Sequence, residues 1–220
     1  MSHSKAVAAY VKPVITLTAL QKSVVEFMDS TTFGIASSPR QTGMTFALHS
    51  RIIYQLQYAS NTTIMVVFAN INRMRNTISE LKQFISVMGS TRCSGNIKTD
   101  MQFAYIKNMT NNVNILFTTI GQLDDKHLRG RSDPIDHIIY EDFDGAGPYA
   151  KQIQGSLIAV MPILSRNPDY KIHLIGTDSN SYVDSVNDKD GILYAAMNGK
   201  SQFVLWNYQL STMVNELLEM

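Results

Sequence analysis

The stretch Ser37-Ser38-Pro39-Arg40-Gln41-Thr42-Gly43-Met44-Thr45 has the make-up of a loop that holds an anion. It follows the apolar run Phe33-Gly34-Ile35-Ala36 and opens a helical pattern from Phe46 through Ile52, Ile53 and Tyr54 to Leu56. Backbone N–H groups at a helix start point at an anion, and the helix dipole favours negative charge there. The phosphate-loop pattern is G-x-x-x-x-G-K-[ST]. Ser38 stands at its first glycine, Gly43 at its second, Met44 at its lysine and Thr45 at the hydroxyl that meets Mg²⁺. Only Gly43 and Thr45 match, and an ordinary glycine-containing turn between strand and helix reads the same way.

The second informative stretch is Ile135-Asp136-His137-Ile138-Ile139-Tyr140-Glu141-Asp142-Phe143-Asp144. An apolar run ends there in the consecutive carboxylates Glu141 and Asp142, and Gly145-Ala146-Gly147-Pro148 follows. In a phosphate-loop ATPase, one carboxylate at this strand end joins the Mg²⁺ shell and a neighbour orients the attacking water. A charged exit from strand to loop is the plainer alternative. Gln21, just ahead of the loop, could offer its carboxamide to an adenine as donor and acceptor, or simply face solvent. Ile175-Gly176-Thr177-Asp178 ends a further apolar run in small polar residues that could sense a γ-phosphate, or make a good turn. His49, His127, His137 and His173 have no metal-ligand spacing and receive no role.

These residues need elements to position them. Thr18 is an N-cap for a helix in which Leu20, Val24, Val25, Phe27 and Met28 recur at helical spacing. A helix from the loop to about Tyr58 leads to Thr62-Thr63-Ile64-Met65-Val66-Val67-Phe68-Ala69, a strand apolar enough to be covered on both faces. Ile71, Met74, Ile78, Leu81, Phe84, Ile85 and Met88 give an amphipathic helix over 71–88, with Arg73, Arg75 and Lys82 on its solvated side. Gln102–Ile106 and Val113–Thr119 flank a turn at Asn108–Asn112, a hairpin signal, and Leu123–Ser132 is a polar loop. A helix at about 149–164, a strand at Lys171–Asp178, a helical segment near 188–198, a strand at Gln202–Tyr208 and a last helix capped by Ser211 or Thr212 complete the chain. Trp206, between Phe203 and Tyr208, reads as core. Alternating strands and helices of this kind give an α/β, mainly parallel sheet flanked by helices, made partly mixed by an inserted β-hairpin.

The 220 residues are 45% apolar and 17% charged, and 19 Lys+Arg against 18 Asp+Glu leave +1. That excludes a disordered chain and advertises no strongly basic nucleic-acid surface. A single cysteine, Cys93, excludes an internal disulfide. No apolar run reaches the ~18–20 residues of a membrane span, and Met1-Ser2-His3-Ser4-Lys5 does not begin a signal peptide. The Asn61-Thr62-Thr63 and Asn108-Met109-Thr110 sequons read as chance.

In order and spacing, these stretches resemble the ATPase domain of the large terminase subunit, the DNA-packaging motor of tailed phages and related viruses, over residues 16–208. Thr18-Ala19-Leu20-Gln21 looks like that family's adenine-contacting segment, and Pro39–Thr45 like its Arg-Gln-x-Gly-Lys-Thr loop. Leu128-Arg129-Gly130 followed by Ile138–Asp142 looks like its Arg-Gly segment and acidic strand, and Ile175–Asp178 like its coupling motif. The resemblance implies a P-loop NTPase-like (terminase/RecA-like) fold, ATP and Mg²⁺ as cofactors, and one ATPase domain with a lead-in at 1–17, a core at 18–208 and a C-terminal helix at 209–220. It implies a nucleotide site of Gln21, Ser38, Pro39, Arg40, Gln41, Thr42, Gly43, Met44 and Thr45, with Thr45 and Glu141 at the metal. Asp142 would be the catalytic carboxylate, Arg129 an arginine finger, and Thr177 and Asp178 the coupling residues. Partners would be double-stranded DNA, a ring of copies (usually five), the portal and the small terminase subunit, in the host cell cytoplasm.

The chain departs from that family at three points. Met44 removes the loop lysine, and loss of one preorganised donor costs on the order of 10²–10³ in rate; Arg40 could supply the charge. The acidic pair runs Glu-Asp where Asp-Glu is commoner. The family's nuclease domain has no counterpart before Met220, so the expectation is an ATPase domain alone, excised or natural. The other readings are a helicase-like ATPase stimulated by nucleic acid, or a nucleotide-binding assembly module without turnover.

Overall fold

Strict alternation of side chains along the apolar strands decides the architecture. The computed structural model of the chain describes residues 16–39, 41–87, 104–123, 134–143, 152–153, 155–157, 160, 164, 166–177, 196 and 201–207. Strands β1 (Phe33–Ser38), β2 (Thr63–Phe68), β3 (Ala104–Asn108), β4 (Val113–Thr119), β5 (His137–Phe143), β6 (Lys171–Thr177) and β7 (Val204–Asn207) form one sheet. Its order is β3-β4-β2-β5-β6-β1-β7. Every neighbouring pair is parallel except β3 and β4.

The strands sort their residues to two faces with a period of two. Ala36, Ile64, Val66, Phe68, Ile139 and Ile175 meet helices α1 (Ala19–Ser30), α2 (Met44–Tyr58) and α3 (Ile71–Val87) through Val24, Met28, Leu48, Ile52, Ile78 and Leu81. Ile35, Met65, Val67, Ile138, Tyr140 and Leu174 turn the other way, onto Ile153, Val160 and Leu164. The Tyr140 hydroxyl and Ser156 Oγ are 2.8 Å apart, and Ser156 donates to the Ile153 carbonyl. Tyr140 is therefore the donor of the pair, and its buried polar end is satisfied. Burial on both faces is what the unbroken apolar runs of β2 and β5 require.

Two local devices fix the helices. Thr18 and Gln21 form a reciprocal capping box: the Gln21 N–H donates to Thr18 Oγ1 at 3.3 Å and the Thr18 N–H to Gln21 Oε1 at 3.0 Å. At the far end of α2, Asn111 Nδ2 donates to the carbonyls of Leu56, Gln57 and Ala59, so the β3–β4 turn closes the helix end. The expected hairpin is present, and its second strand joins the parallel sheet beside β2, leaving β3 at the edge. Gly34 is required by close approach: a Cβ there would stand 2.6 Å from His173 Cδ2 and 2.7 Å from Phe27 Cε1.

The expected elements at 18–28, 62–69, 71–88, 113–119 and 171–178 match those observed within a residue or two. β1 runs on past Ala36 because Ser37 and Ser38 pair with Gly176 and Thr177 and are buried. Trp206 packs against the α1–α3 core, as expected. The lead-in before residue 16, the segment around 188–195 and the last helix lie outside the described residues.

Candidate active site

All the strands but β3 run the same way, so their carboxyl ends share one edge, and in this topology ligands bind at that edge. β1 reaches it at Ser38, β6 at Thr177 and β5 at Glu141, and Ser38 lies opposite Thr177. The strand order leaves β6 between the loop-bearing β1 and the acidic β5. Groups that cooperate there must reach across one intervening strand.

The loop is closed on itself by hydroxyl groups. Ser38 Oγ and Thr42 Oγ1 lie 2.6 Å apart, and Thr42 donates to the Pro39 carbonyl at 3.0 Å. Gln41 and Gly43 both have positive φ, 68° and 80°, with Thr42 between them. Backbone that alternates hand in this way turns successive N–H groups into a concavity suited to an anion. Gly43 is also the N-cap of α2, and no side chain caps that helix. Its first N–H groups and its positive dipole end are left for a ligand.

Gly43 is demanded twice. Its φ of 80° suits glycine, and a Cβ there would stand 2.2 Å from Gln21 Nε2. Gln21 donates from that nitrogen to the Gly43 carbonyl at 3.3 Å, while its oxygen completes the α1 cap. Gln21 therefore stands beside the loop with both ends of its carboxamide engaged within the protein, where the sequence reading offers it to an adenine or to solvent.

Met44 does not project a polar group toward the loop. It is 7% exposed and belongs to the same core cluster as Val24, Met28 and Leu48. What remains at position 44 for a phosphate is its backbone N–H.

The next turns of α2, the start of α3 and the end of β5 converge. Arg73 is held in the first turn of α3, where its own N–H donates to Asn70 Oδ1 at 3.0 Å. Its Nη2 lies 3.4 Å from Thr45 Oγ1 and 3.6 Å from Glu141 Oε1. The Glu141 side chain is 3% exposed and that of Arg73 is 36% exposed, so the guanidinium connects a buried carboxylate to the open side of the loop. His49, one turn beyond Thr45 on the same face of α2, has Nε2 3.9 Å from Glu141 Oε1 and Nδ1 3.3 Å from Glu80 Oε2. Burial first, and then the nearby Arg73 charge, lower the His49 pKa to about 4. It is neutral near pH 7, and its single N–H serves only one of the two carboxylates at a time.

Thr45 and Glu141 therefore both face one cationic nitrogen. A hydroxyl and a carboxylate brought to the same positive group are the hard oxygen donors that Mg²⁺ takes from a protein when phosphate supplies others. The fit to that ion is good. Asp142 is described by its backbone alone. It is an extra residue in the β5–β6 register, since Glu141 pairs with Ile175 and Phe143 with Gly176. Bulges of this kind re-aim side chains beside active sites. Arg40, Arg129 and Asp178 lie outside the described residues.

Arg73 and His49 are the residues that sequence reasoning missed. Arg73 reads in the sequence as part of a solvated helix face, and His49 as a histidine without a partner. The available signals were the Asn70 cap, which puts Arg73 in the first turn after β2, and the four-residue spacing from Thr45 to His49.

No family model matches the sequence, and no curated protein matches it. Solved structures match its fold. The ATPase domain of the Thermus phage P74-26 large terminase superposes with a TM-score of 0.53 at 12% identity, covering 87% of this chain and 80% of that one. The large terminase of a second, thermophilic bacteriophage gives a TM-score of 0.58 at 11% identity, covering 88% of this chain and 46% of that one. The chain thus spans about half the length of that protein. Other structures of that same terminase are complexes with ADP and with ATP-γ-S. The UvsW helicase of bacteriophage T4 matches as well, with a TM-score of 0.53 at 13% identity over 88% of this chain. The chain has the α/β fold that these terminase and helicase structures share.

Proposed function

We propose that this chain is an ATP-binding and ATP-hydrolysing motor domain of the kind that packages double-stranded viral DNA. The carrying observation is the convergence of Thr45 and Glu141 on one cationic nitrogen at the carboxyl edge of the sheet, beside an uncapped helix N-terminus. In this reading the backbone N–H groups of the loop around Gly43 bind the phosphates, and Gln21 and the apolar rim around Leu20 lie beside the base. Thr45 and Glu141 would hold Mg²⁺, which neutralises charge on the β- and γ-phosphates when bound. Glu141 keeps its carboxylate in place through its burial and its contacts with Arg73. Asp142, at the bulge in β5, orients the water and accepts its proton. Arg129 completes the site from a neighbouring copy or in cis, and Thr177 and Asp178, next to the loop strand, pass the change on. The fold likeness to terminase ATPase domains supports the motor reading, and the same proposal includes double-stranded DNA as the track and a ring of copies at a portal with a small terminase subunit in the host cytoplasm.

One observation favours a second reading. Burial of Met44 in the core leaves the loop without its own lysine, as in a module that binds nucleotide for assembly without turnover. Steady-state ATP hydrolysis measured across protein concentration, with and without double-stranded DNA, separates the two. The motor reading expects turnover that rises faster than linearly with concentration, responds to DNA, and disappears in Glu141→Gln and Asp142→Asn. Binding of ATP with no turnover at any concentration would establish the module instead.

A further inference from the structure

We infer that Arg73 is the phosphate-binding cation of this site, taking from α3 the role that a phosphate loop normally gives to its lysine. The inference rests on the nucleotide reading above and names a residue which that reading does not assign. Position 44, where the lysine would stand, is committed to the core between α1 and α2. A triphosphate seated on the loop N–H groups still needs positive charge at its β–γ end, on the side of Thr45 and Glu141. Arg73 is already there: one nitrogen lies 3.4 Å from the Thr45 hydroxyl and 3.6 Å from Glu141 Oε1. Its root is fixed, because Asn70 holds the Arg73 N–H in the first turn of α3. Its head is a third exposed, so it reaches the open side of the loop without leaving the carboxylate's neighbourhood.

The geometry also explains why an arginine serves from this distance. A lysine offers a compact point charge, whereas a guanidinium offers a planar fork that can contact a carboxylate with one edge and a phosphate oxygen with the other. Arg73 can therefore keep Glu141 company and meet the γ-phosphate at once. It stands where Thr45 and Glu141 converge, so these two residues would hold Mg²⁺ beside the guanidinium, whose other edge stays available to the phosphate.

Calorimetric titration of the full chain with ATP and with AMP, each with Mg²⁺, tests the assignment against Arg73→Gln, Arg73→Lys and Arg40→Gln. Arg73→Gln is expected to weaken ATP binding about 10- to 100-fold, the range for a lost hydrogen bond to a charged group. AMP, which lacks the β- and γ-phosphates, is expected to bind the variant as it binds the parent. Arg73→Lys keeps the charge, loses the fork and recovers part of the ATP affinity. Parent-like ATP affinity in Arg73→Gln, with the loss appearing in Arg40→Gln, overturns the assignment and leaves the nucleotide reading intact. A parent chain that binds neither nucleotide overturns both. Unligated melting curves of the variants separate lost binding from lost folding.

Discussion

The sheet carries an arginine, a carboxylate and one or two histidines at each end, and the two sets are built to opposite specifications. At the amino edge, Arg51 is 5% exposed. It donates to Asp29 Oδ1 from Nε at 2.9 Å and from Nη2 at 2.7 Å. Its Nη1 lies 3.2 Å from His137 Nδ1, His137 Nε2 lies 2.7 Å from His173 Nδ1, and His173 Nε2 lies 2.9 Å from Thr31 Oγ1. Arginine only donates, so each imidazole in turn accepts at Nδ1 and donates from Nε2, and Thr31 hands the last proton to the Phe27 carbonyl at 2.6 Å. Every proton in that chain has one position. At the carboxyl edge, Arg73 and His49 stand 3.6 Å and 3.9 Å from Glu141 Oε1, and the neutral His49 has two carboxylates for one N–H. Tight, fully assigned contacts clamp α1, α2, β5 and β6 together. Looser ones leave room for a ligand to rearrange them.

Acid has the largest expected effect, and it acts at both ends. His173 is lowered to about 3, His49 to about 4, and His137 well below the ordinary value of 6.5, in each case chiefly by burial. The folded pKa is depressed, so below pH 6.5 the unfolded chain binds more protons than the folded one. Stability is then full above pH 6.5 and falls as the pH drops toward 4 and 3. Each histidine contributes a slope of up to about 1.4 kcal/mol per pH unit. Denaturant midpoints measured from pH 7 to pH 4 should fall steeply, and His173→Asn and His49→Asn should each flatten the fall, since both imidazoles stay neutral in the folded chain over most of that window. A midpoint that stays level from pH 7 to pH 4 would mean that neither end keeps its histidines neutral.

Arg51→Ala comes next. It removes the donor that orients the whole histidine chain and leaves a buried acceptor at His137, at a cost of about 3 kcal/mol by chemical denaturation. A loss below about 1 kcal/mol would mean that the amino-edge network is decoration. Gly34→Ala probes the same clamp through shape. The new methyl group meets His173 and Phe27 at 2.6–2.8 Å, and overpacking of this kind costs about 1–3 kcal/mol. A neutral result would require Phe27 and His173 to give way without loss, which the short His137–His173 contact opposes.

The two ends also differ in what the sequence disclosed. The carboxyl edge announced itself through local patterns: Gly43 and Thr45 at their spacing, and Glu141 at the end of an apolar run. These are legible because backbone conformation and strand ends are local properties. Strand order is not local, and neither is the placement of β6 between β1 and β5, which makes the site depend on long side chains. Arg73 is invisible for that reason: on the helix pattern alone it shares a polar face with Arg75 and Lys82, and only the packing of α3 beside β2 turns it inward. His137 and His173, 36 residues apart, have no spacing to read. They meet because β5 and β6 are neighbours in register. Met44 misleads in the opposite sense, since its position in the loop pattern suggests a ligand contact and its chemistry sends it to the core.

The smallest stability effect is also the most discriminating one. Arg73→Gln removes the same residue type as Arg51→Ala, in each case a cation joined to a carboxylate and near a histidine. Here the side chain is a third exposed and its contacts to Thr45 and Glu141 are long, so solvent screens what it gives to the fold. Glu141 is 3% exposed, so losing its partner costs the fold something, but solvent screens the exposed guanidinium and the variant should unfold closer to the parent than Arg51→Ala does. Arg51→Ala, in turn, should bind ATP as the parent does wherever it remains folded, since Arg51 lies at the far edge of the sheet. Measured together, the pair of variants forms a cross: one loses stability and keeps ligand, the other keeps stability and loses ligand. If Arg73→Gln instead costs as much stability as Arg51→Ala, the carboxyl edge is a second clamp. Thr45, Glu141 and Arg73 would then be holding the protein together, with no cation position left to hand over to a nucleotide.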